Sequence, residues 1–267
     1  MLRIPALERA LGDNPFYRIA PYRRTSSYRW TFGISVFLVG SYYLTALLLL
    51  TLGTGLALSP MVGPVSDLFL KMLSYLVPPA LAATALSTER ERGTLESLIV
   101  TPYPRRDMLL GLVAARLEPV IRVLVFAVPG ILLLAAFGAH ARSFTGVRFP
   151  GAAGLGIGLG LLVGVGQVIG LAGNLALATM TGLWAAGRSA STGGAVALAY
   201  CLLVFARPML GCVAVVGVIP MVMMANLGGQ AIGELVAITI NAAIDLGFAW
   251  LLYRDAVSGL HTGSLAA

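Results

Sequence analysis

Lysine is almost missing from this 267-residue chain, with Lys71 the only one. A phosphate-cradling loop of the form G-x-x-x-x-G-K-[ST] needs a lysine after its glycines, and Lys71 sits inside an apolar run. The chain therefore has no nucleotide site of that kind. Cysteine and histidine are nearly as scarce, with two of each. Cys201 and Cys212 both lie in apolar runs, which excludes a disulfide framework or a zinc site of closely spaced ligands and leaves them as small hydrophobes. His140 and His261 fall in expected loops, with no H-E-x-x-H, nucleophile elbow or cysteine–histidine pair. With no catalytic constellation, the chain reads as a non-enzyme with no metal or cofactor of its own. Charged residues make up only 11% of the chain against 58% hydrophobic ones, and the mean hydropathy is +0.89. A water-facing surface could not tolerate that balance, so the composition is that of an integral membrane protein.

The net charge of +7 invites a nucleic-acid reading. The positions of the basic residues point instead to the cytoplasmic side of a bilayer. Arg3, Arg9, Arg18, Arg23, Arg24 and Arg29 precede the first long apolar run, and Arg90, Arg92, Arg105 and Arg106 cluster after the second. Only Arg142 and Arg148 fall in the loop expected outside, at about Gly138 to Pro150. This asymmetry predicts both termini inside, an even number of crossings and a multi-pass place in the inner (plasma) membrane. The first thirty residues lack a continuous apolar stretch and carry Pro5, Pro15 and Pro21, so no cleavable signal peptide is expected.

A crossing needs about 20 apolar residues. Six runs are candidates: 31–56, 65–86, 117–137, 152–184, 192 to about 206 or beyond, and 231–253. The fold class is thus all-α integral membrane with six transmembrane helices in one permease-like domain. No soluble domain, low-complexity segment or internal repeat interrupts it. Arg207-Pro208 ends the fifth run, and Pro220 breaks the apolar stretch after it. The reading preferred for 207–229 is a short re-entrant or interfacial hairpin before the last helix, with one long kinked fifth helix as the fallback. Ahead of the first run, Asn14 and Pro15 can start an N-terminal interfacial helix with Phe16 and Ile19 on one side, and with Tyr22, Tyr28 and Trp30 at headgroup depth. The fourth run is rich in glycine; pairs such as Gly156 with Gly160 and Gly160 with Gly164 leave a groove for another helix or subunit.

Ionisable residues within the runs are expensive and invite functional readings. Asp67 with Lys71, and Glu118 with Arg122, are acid-first i and i+4 pairs, which structural pairing explains. In the sixth run Glu234, Asn241 and Asp245 lie within about 20 degrees of one helical azimuth at 100 degrees per residue. That stripe should avoid lipid. It either lines a translocation path or bonds another helix, with Arg207 at a similar depth to Glu234.

Against this background the charged stretch "STERERGTLESLIVTPYPRRD", 87–107, stands out. Gly93 breaks the preceding helix, Thr94 can cap a new one, and Glu96 suits its first turn. Leu95, Leu98 and Ile99 recur at helical spacing, Pro102 and Pro104 stop the helix, and Asp107 can cap the next. The pattern predicts a short amphipathic helix lying along the membrane surface with its apolar edge offered to a docking protein.

These residues resemble the signature loop of ABC transporter permeases of the type-2 exporter class, whose pattern reads roughly E-x-E-x-G-T-L-E-x-L-L-x-T-P. Glu89, Glu91, Gly93, Thr94, Leu95, Glu96, Leu98, Thr101 and Pro102 stand where that pattern places them. "WAAGRSASTGGAVALAY" is similar to the second cytoplasmic turn of the class. Gly111-Leu112 departs from it, since many relatives have lysine after the glycine. The resemblance implies a permease subunit that dimerises, with a second copy or a related permease, and works with cytoplasmic ABC ATPase subunits. In that arrangement the loop is a coupling helix, with Glu91, Gly93, Thr94, Leu95, Glu96, Leu98, Ile99, Thr101 and Pro102 at the ATPase contact. ATP and magnesium would be bound by the partner, and Arg207, Glu234, Asn241 and Asp245 are the candidates for the path. Membrane lipid is the surrounding partner and nucleic acid is not one. Two rivals remain: an ion-gradient-driven secondary transporter using Glu234 and Asp245, and a non-transporting membrane scaffold.

Overall fold

The computed structural model describes residues 26–52, 59–94, 104–144, 152–225 and 230–261. They form six helices and, among the described residues, no strand: α1 (Ser26–Leu52), α2 (Ser59–Glu91), α3 (Arg105–Phe144), α4 (Ala152–Arg188), α5 (Thr192–Ala225) and α6 (Gln230–His261). By length and apolar composition α2, α3, α4 and α6 can each cross a membrane. Burial is inverted relative to a water-soluble domain. Phe205 is 73% exposed and Phe37 70%, while Glu118 is 1% exposed and Asp245 2%. Apolar side chains facing out and charges facing in suit a lipid surround.

The chain reverses sharply after α2. Gly93 takes φ +69, a left-handed conformation that only glycine adopts without a Cβ penalty. The Thr94 amide donates to the Glu89 carbonyl at 3.0 Å and the Gly93 amide to the Arg90 carbonyl at 2.9 Å. This pair of bonds is a Schellman motif, which satisfies carbonyls the helix end would otherwise leave bare. The α2 end therefore runs past Leu86 to Glu91. Pro104 opens the next helix, accepting from the amides of Asp107 and Met108, so Asp107 lies in the first turn of α3 rather than at its cap.

Several boundaries expected from composition move outward. Charged helix ends stand clear of the apolar runs, so α3 starts at Arg105 instead of 117 and ends at Phe144. His140 falls within α3 and His261 closes α6, where loops were expected. The fifth helix does not stop at Arg207 for a hairpin. It continues from Thr192 to Ala225, past both Arg207-Pro208 and Pro220, which is the fallback geometry. Pro208 withholds one backbone bond, to the Val204 carbonyl. An apolar helix within a bundle tolerates that loss, so proline marks a composition break without ending the helix. Tyr28 lies in α1 and is buried, its ring stacked parallel to Phe32 at 6.4 Å, while Trp30 is exposed. The interfacial helix at 14–19 and the coupling segment 95–103 lie outside the described residues.

The glycine-rich α4 is the helix around which the bundle closes, in broad contact with α6, α2 and α3 and also touching α5. Its glycines face different partners in turn. A Cβ added at Gly164 would sit 3.1 Å from Ala135 of α3. At Gly166 it would sit 3.0 Å from Leu235 of α6, and at Gly173 3.3 Å from the Ala242 carbonyl oxygen of α6. At Gly182 it would run into the Pro79 carbonyl of α2 and approach Ala82 to 3.0 Å. Lipid offers no hydrophobic drive for helix association, so such backbone-close packing supplies the dispersion contacts instead. Tyrosines add cross-ties: Tyr75 donates to the Asn174 side-chain oxygen at 2.6 Å, and Tyr200 donates to the Leu76 carbonyl.

Gly182→Ala should therefore destabilise the protein by about 1–3 kcal/mol through overpacking against α2. Gly158→Ala, where nothing lies within 4 Å, should be neutral or slightly stabilising. Unfolding temperature and monodisperse yield in detergent, measured side by side, check both.

Candidate functional site

Two features concentrate polar chemistry: a collar at one end of the bundle and a cavity between the helices. The collar grows from the ERER run that ends α2. Glu89 accepts from the Thr94 hydroxyl at 2.7 Å and lies 3.9 Å from Arg116 of α3, which in turn donates to Thr84 of α2 at 3.1 Å. Arg90 donates to the carbonyls of Ala186 at 3.2 Å and Ser189 at 2.7 Å, capping the carboxyl end of α4. Glu91 accepts from the Thr192 amide at 2.6 Å, capping the amino end of α5. That backbone donor holds the exposed Glu91 carboxyl below the usual carboxylate range. Asp255 of α6 closes the ring, accepting from Trp184 at 2.8 Å and Arg188 at 2.6 Å, with the Arg188 guanidinium over the Trp184 ring. The ends of α2, α4 and α6 and the starts of α3 and α5 thus share one end of the bundle, so these consecutive helices alternate in direction.

The cavity has a volume of about 330 Å³ and opens between α2, α3, α4 and α6. Leu70, Ile131, Leu171 and Ile238 supply apolar walls, while Lys71, Gln167, Asn174, Asn241 and Asp245 supply polar groups. Asn174 already accepts from Tyr75, and the Asn241 amide donates to the Ala237 carbonyl at 2.9 Å. At 1.5 Å per residue, Lys71 lies roughly 22 Å of rise from Leu86, and Asp245 roughly 13 Å from Arg254. Both lie on helices long and apolar enough to cross a membrane. The Glu118–Arg122 pair, by contrast, is a buried bond within α3, donated by the Arg122 guanidinium, and it borders neither feature.

Of the residues expected in a path, Asn241 and Asp245 meet at the cavity. The side chains of Arg207, Glu234 and Asp67 lie outside the described set, as do Leu95, Glu96, Leu98, Ile99, Thr101 and Pro102 of the expected docking segment. Glu91, Gly93 and Thr94 are placed at the collar, holding the end of α2. Sequence reasoning missed three cavity residues. Lys71 was read as the partner of Asp67, whose side chain lies outside the described residues, and was given no place at a cavity, while Gln167 and Asn174 were passed over although their spacing of seven puts them on one face of an otherwise apolar helix. The chain matches no protein-family model, no curated protein sequence and no solved structure.

The buried pair predicts a non-additive pattern. Glu118→Gln or Arg122→Met alone should cost about 3–5 kcal/mol by stranding one partner, and the combined Glu118→Leu, Arg122→Met change should recover most of it. Detergent unfolding of the three variants reads this directly. At the collar, a carboxylate whose folded pKa is depressed stabilises above its unfolded pKa of about 4.3 and loses that contribution as pH falls through the lower folded value. Hydrogen-exchange protection over 192–198 should therefore fall in Glu91→Ala at neutral pH, and its acid dependence should vanish with the carboxylate.

Proposed function

We propose that this chain is a six-span permease subunit of an ATP-driven ABC exporter, dimeric in the membrane and coupled through its 87–107 stretch to a separate cytoplasmic ATPase. Four helices are long and apolar enough to span, which supports a membrane protein, and α1 and α5 are the two further crossings of this reading. The observation that carries the reading is the wiring of the collar. Directly before the segment whose residues resemble a coupling helix, three consecutive side chains, Glu89, Arg90 and Glu91, tie α2 to α3, to the end of α4 and to the start of α5. A docking segment attached to such a base moves several helices together. A solvated tether needs no such bracing. With Lys71 as the sole lysine and no glycine-lysine phosphate loop, the nucleotide must come from another polypeptide.

The experiment is purification of this chain from its native membrane and reconstitution with the cytoplasmic ABC ATPase that should accompany it. The permease should stimulate its ATP hydrolysis, and crosslinkers at Leu95 or Leu98 should capture it from the cytoplasmic side. Leu95→Glu with Leu98→Glu should cut the stimulated rate about tenfold or more while leaving the permease folded. A second reading draws on the charged cavity, which also suits a secondary transporter using Asp245. Transport that persists without the ATPase and follows an imposed ion gradient would replace the first reading with the second.

A further inference from the structure

We infer that the cavity between α2, α3, α4 and α6 binds the uncharged head of an amphiphile, a hydroxyl or carboxamide that donates and accepts hydrogen bonds together. Three amide side chains carry the assignment. Asn174 is 8% exposed and lines the cavity. Its oxygen accepts from the Tyr75 hydroxyl at 2.6 Å, which turns its amide nitrogen the other way, unpaired among the described residues and not sealed from the cavity. Asn241 on α6 has the opposite polarity. Its nitrogen donates to the Ala237 carbonyl of its own helix at 2.9 Å, which leaves its oxygen as an acceptor. Half-buried Gln167 adds a donor and an acceptor that bond to no described residue. A Cβ at Gly170 would sit 3.4 Å from Ile238, and at Gly173 3.3 Å from the Ala242 carbonyl oxygen, so α4 and α6 close together at the level of Asn174 and Asn241. Lys71 and Asp245 also line the cavity, but each already interacts within the protein, and neither charge enters the assignment.

Leaving a buried amide group unpaired costs about 1–3 kcal/mol, so the favoured occupant meets both polarities. An ester or carboxylate only accepts, which strands the Asn241 oxygen, and an ammonium only donates, which strands the Asn174 nitrogen. A hydroxyl or carboxamide serves both. Water does so too, but it leaves the apolar walls of Leu70, Ile131, Leu171 and Ile238 uncovered, where a hydrocarbon body would lie. The volume of about 330 Å³ suits a compact head and the start of its chain rather than a polymer. The cavity belongs to this chain whichever energy source drives it, so its test is separate from that of the exporter reading.

The test uses the full chain in phosphatidylcholine nanodiscs, a lipid whose headgroup has no hydrogen-bond donor, with four probes: octanamide, N,N-dimethyloctanamide, octyltrimethylammonium and acetamide. Thermal stabilisation and native mass spectrometry are the readouts. Octanamide should bind about tenfold more tightly than its dimethyl analogue, which keeps the acceptor and lacks the donor, and than the ammonium, which has neither. Acetamide should bind about tenfold more weakly than octanamide, and equal binding of the two overturns the amphiphile. Asn241→Leu combined with Gln167→Met should abolish the preference for octanamide over its dimethyl analogue, because the acceptors for its N–H are gone. Asn174→Leu should weaken both amides alike by about tenfold, because both carry the carbonyl it serves. A purely structural role would not split the two variants in this way. If Asn174→Leu fails to fold through loss of its Tyr75 bond, the Asn241 and Gln167 variant decides alone. Equal binding of octanamide and its dimethyl analogue by the native chain, as expected of a cavity that holds only water, or an unchanged preference in that double variant, overturns the assignment.

Discussion

Backbone-close contact along α4 is the constraint on which the rest of the structure depends. Because lipid rewards no burial of apolar surface between helices, the bundle holds together where side chains are absent and dispersion contacts can accumulate. Gly166, Gly170 and Gly173 turn toward α6, and Gly182 toward α2. The same approach decides where polarity ends up. Gly173 sits against Ala242 and the Cβ of Asp245, so drawing α6 onto α4 carries Asp245 to the inner wall. Gly170 lines the cavity itself, where a larger residue would fill it. Packing and polar interior are therefore one geometric fact, and a substitution that relieves the first reshapes the second.

The collar works on another principle. Exposed ion pairs contribute about 0–1 kcal/mol each, so its arginines and carboxylates are weak as stabilisers. Their value is positional. Each helix end leaves four backbone groups without intrahelical partners, and Arg90 and Glu91 satisfy such groups on helices other than their own. Side chains from one helix end thus set the spacing of α4 and α5 at that level, while Arg188 and Trp184 do the same for α6 through Asp255.

Much of this was legible because it depends on local pattern. The apolar runs located all six helices, the break at Gly93 comes from its position after a charged helix end, and the shared azimuth of Asn241 and Asp245 comes from their spacing of four. The illegible part depends on contacts far apart in the chain. Nothing in "ERER" announces that Glu91 caps a helix starting 101 residues later, and nothing near Lys71 announces Asn174 or Asp245. The end of α5 was misplaced for a different reason. Arg207-Pro208 is a strong breaker in water, where a freed carbonyl can turn to solvent and the helix has little to lose. In an apolar surround an interrupted backbone is costlier than a single missing bond, so the helix continues to Ala225.

The two features are joined by α2. Lys71 reaches the cavity twenty residues before Glu91, a separation of roughly 30 Å along one continuous helix. Charges within the hydrocarbon cost about 2.5–3.5 kcal/mol each on insertion scales. In α3 the Glu118–Arg122 pair offsets that cost within a single helix, where relative position cannot change. Lys71 and Asp245 are carried by α2 and α6, so the electrostatics of their cavity depend on how those helices stand to each other.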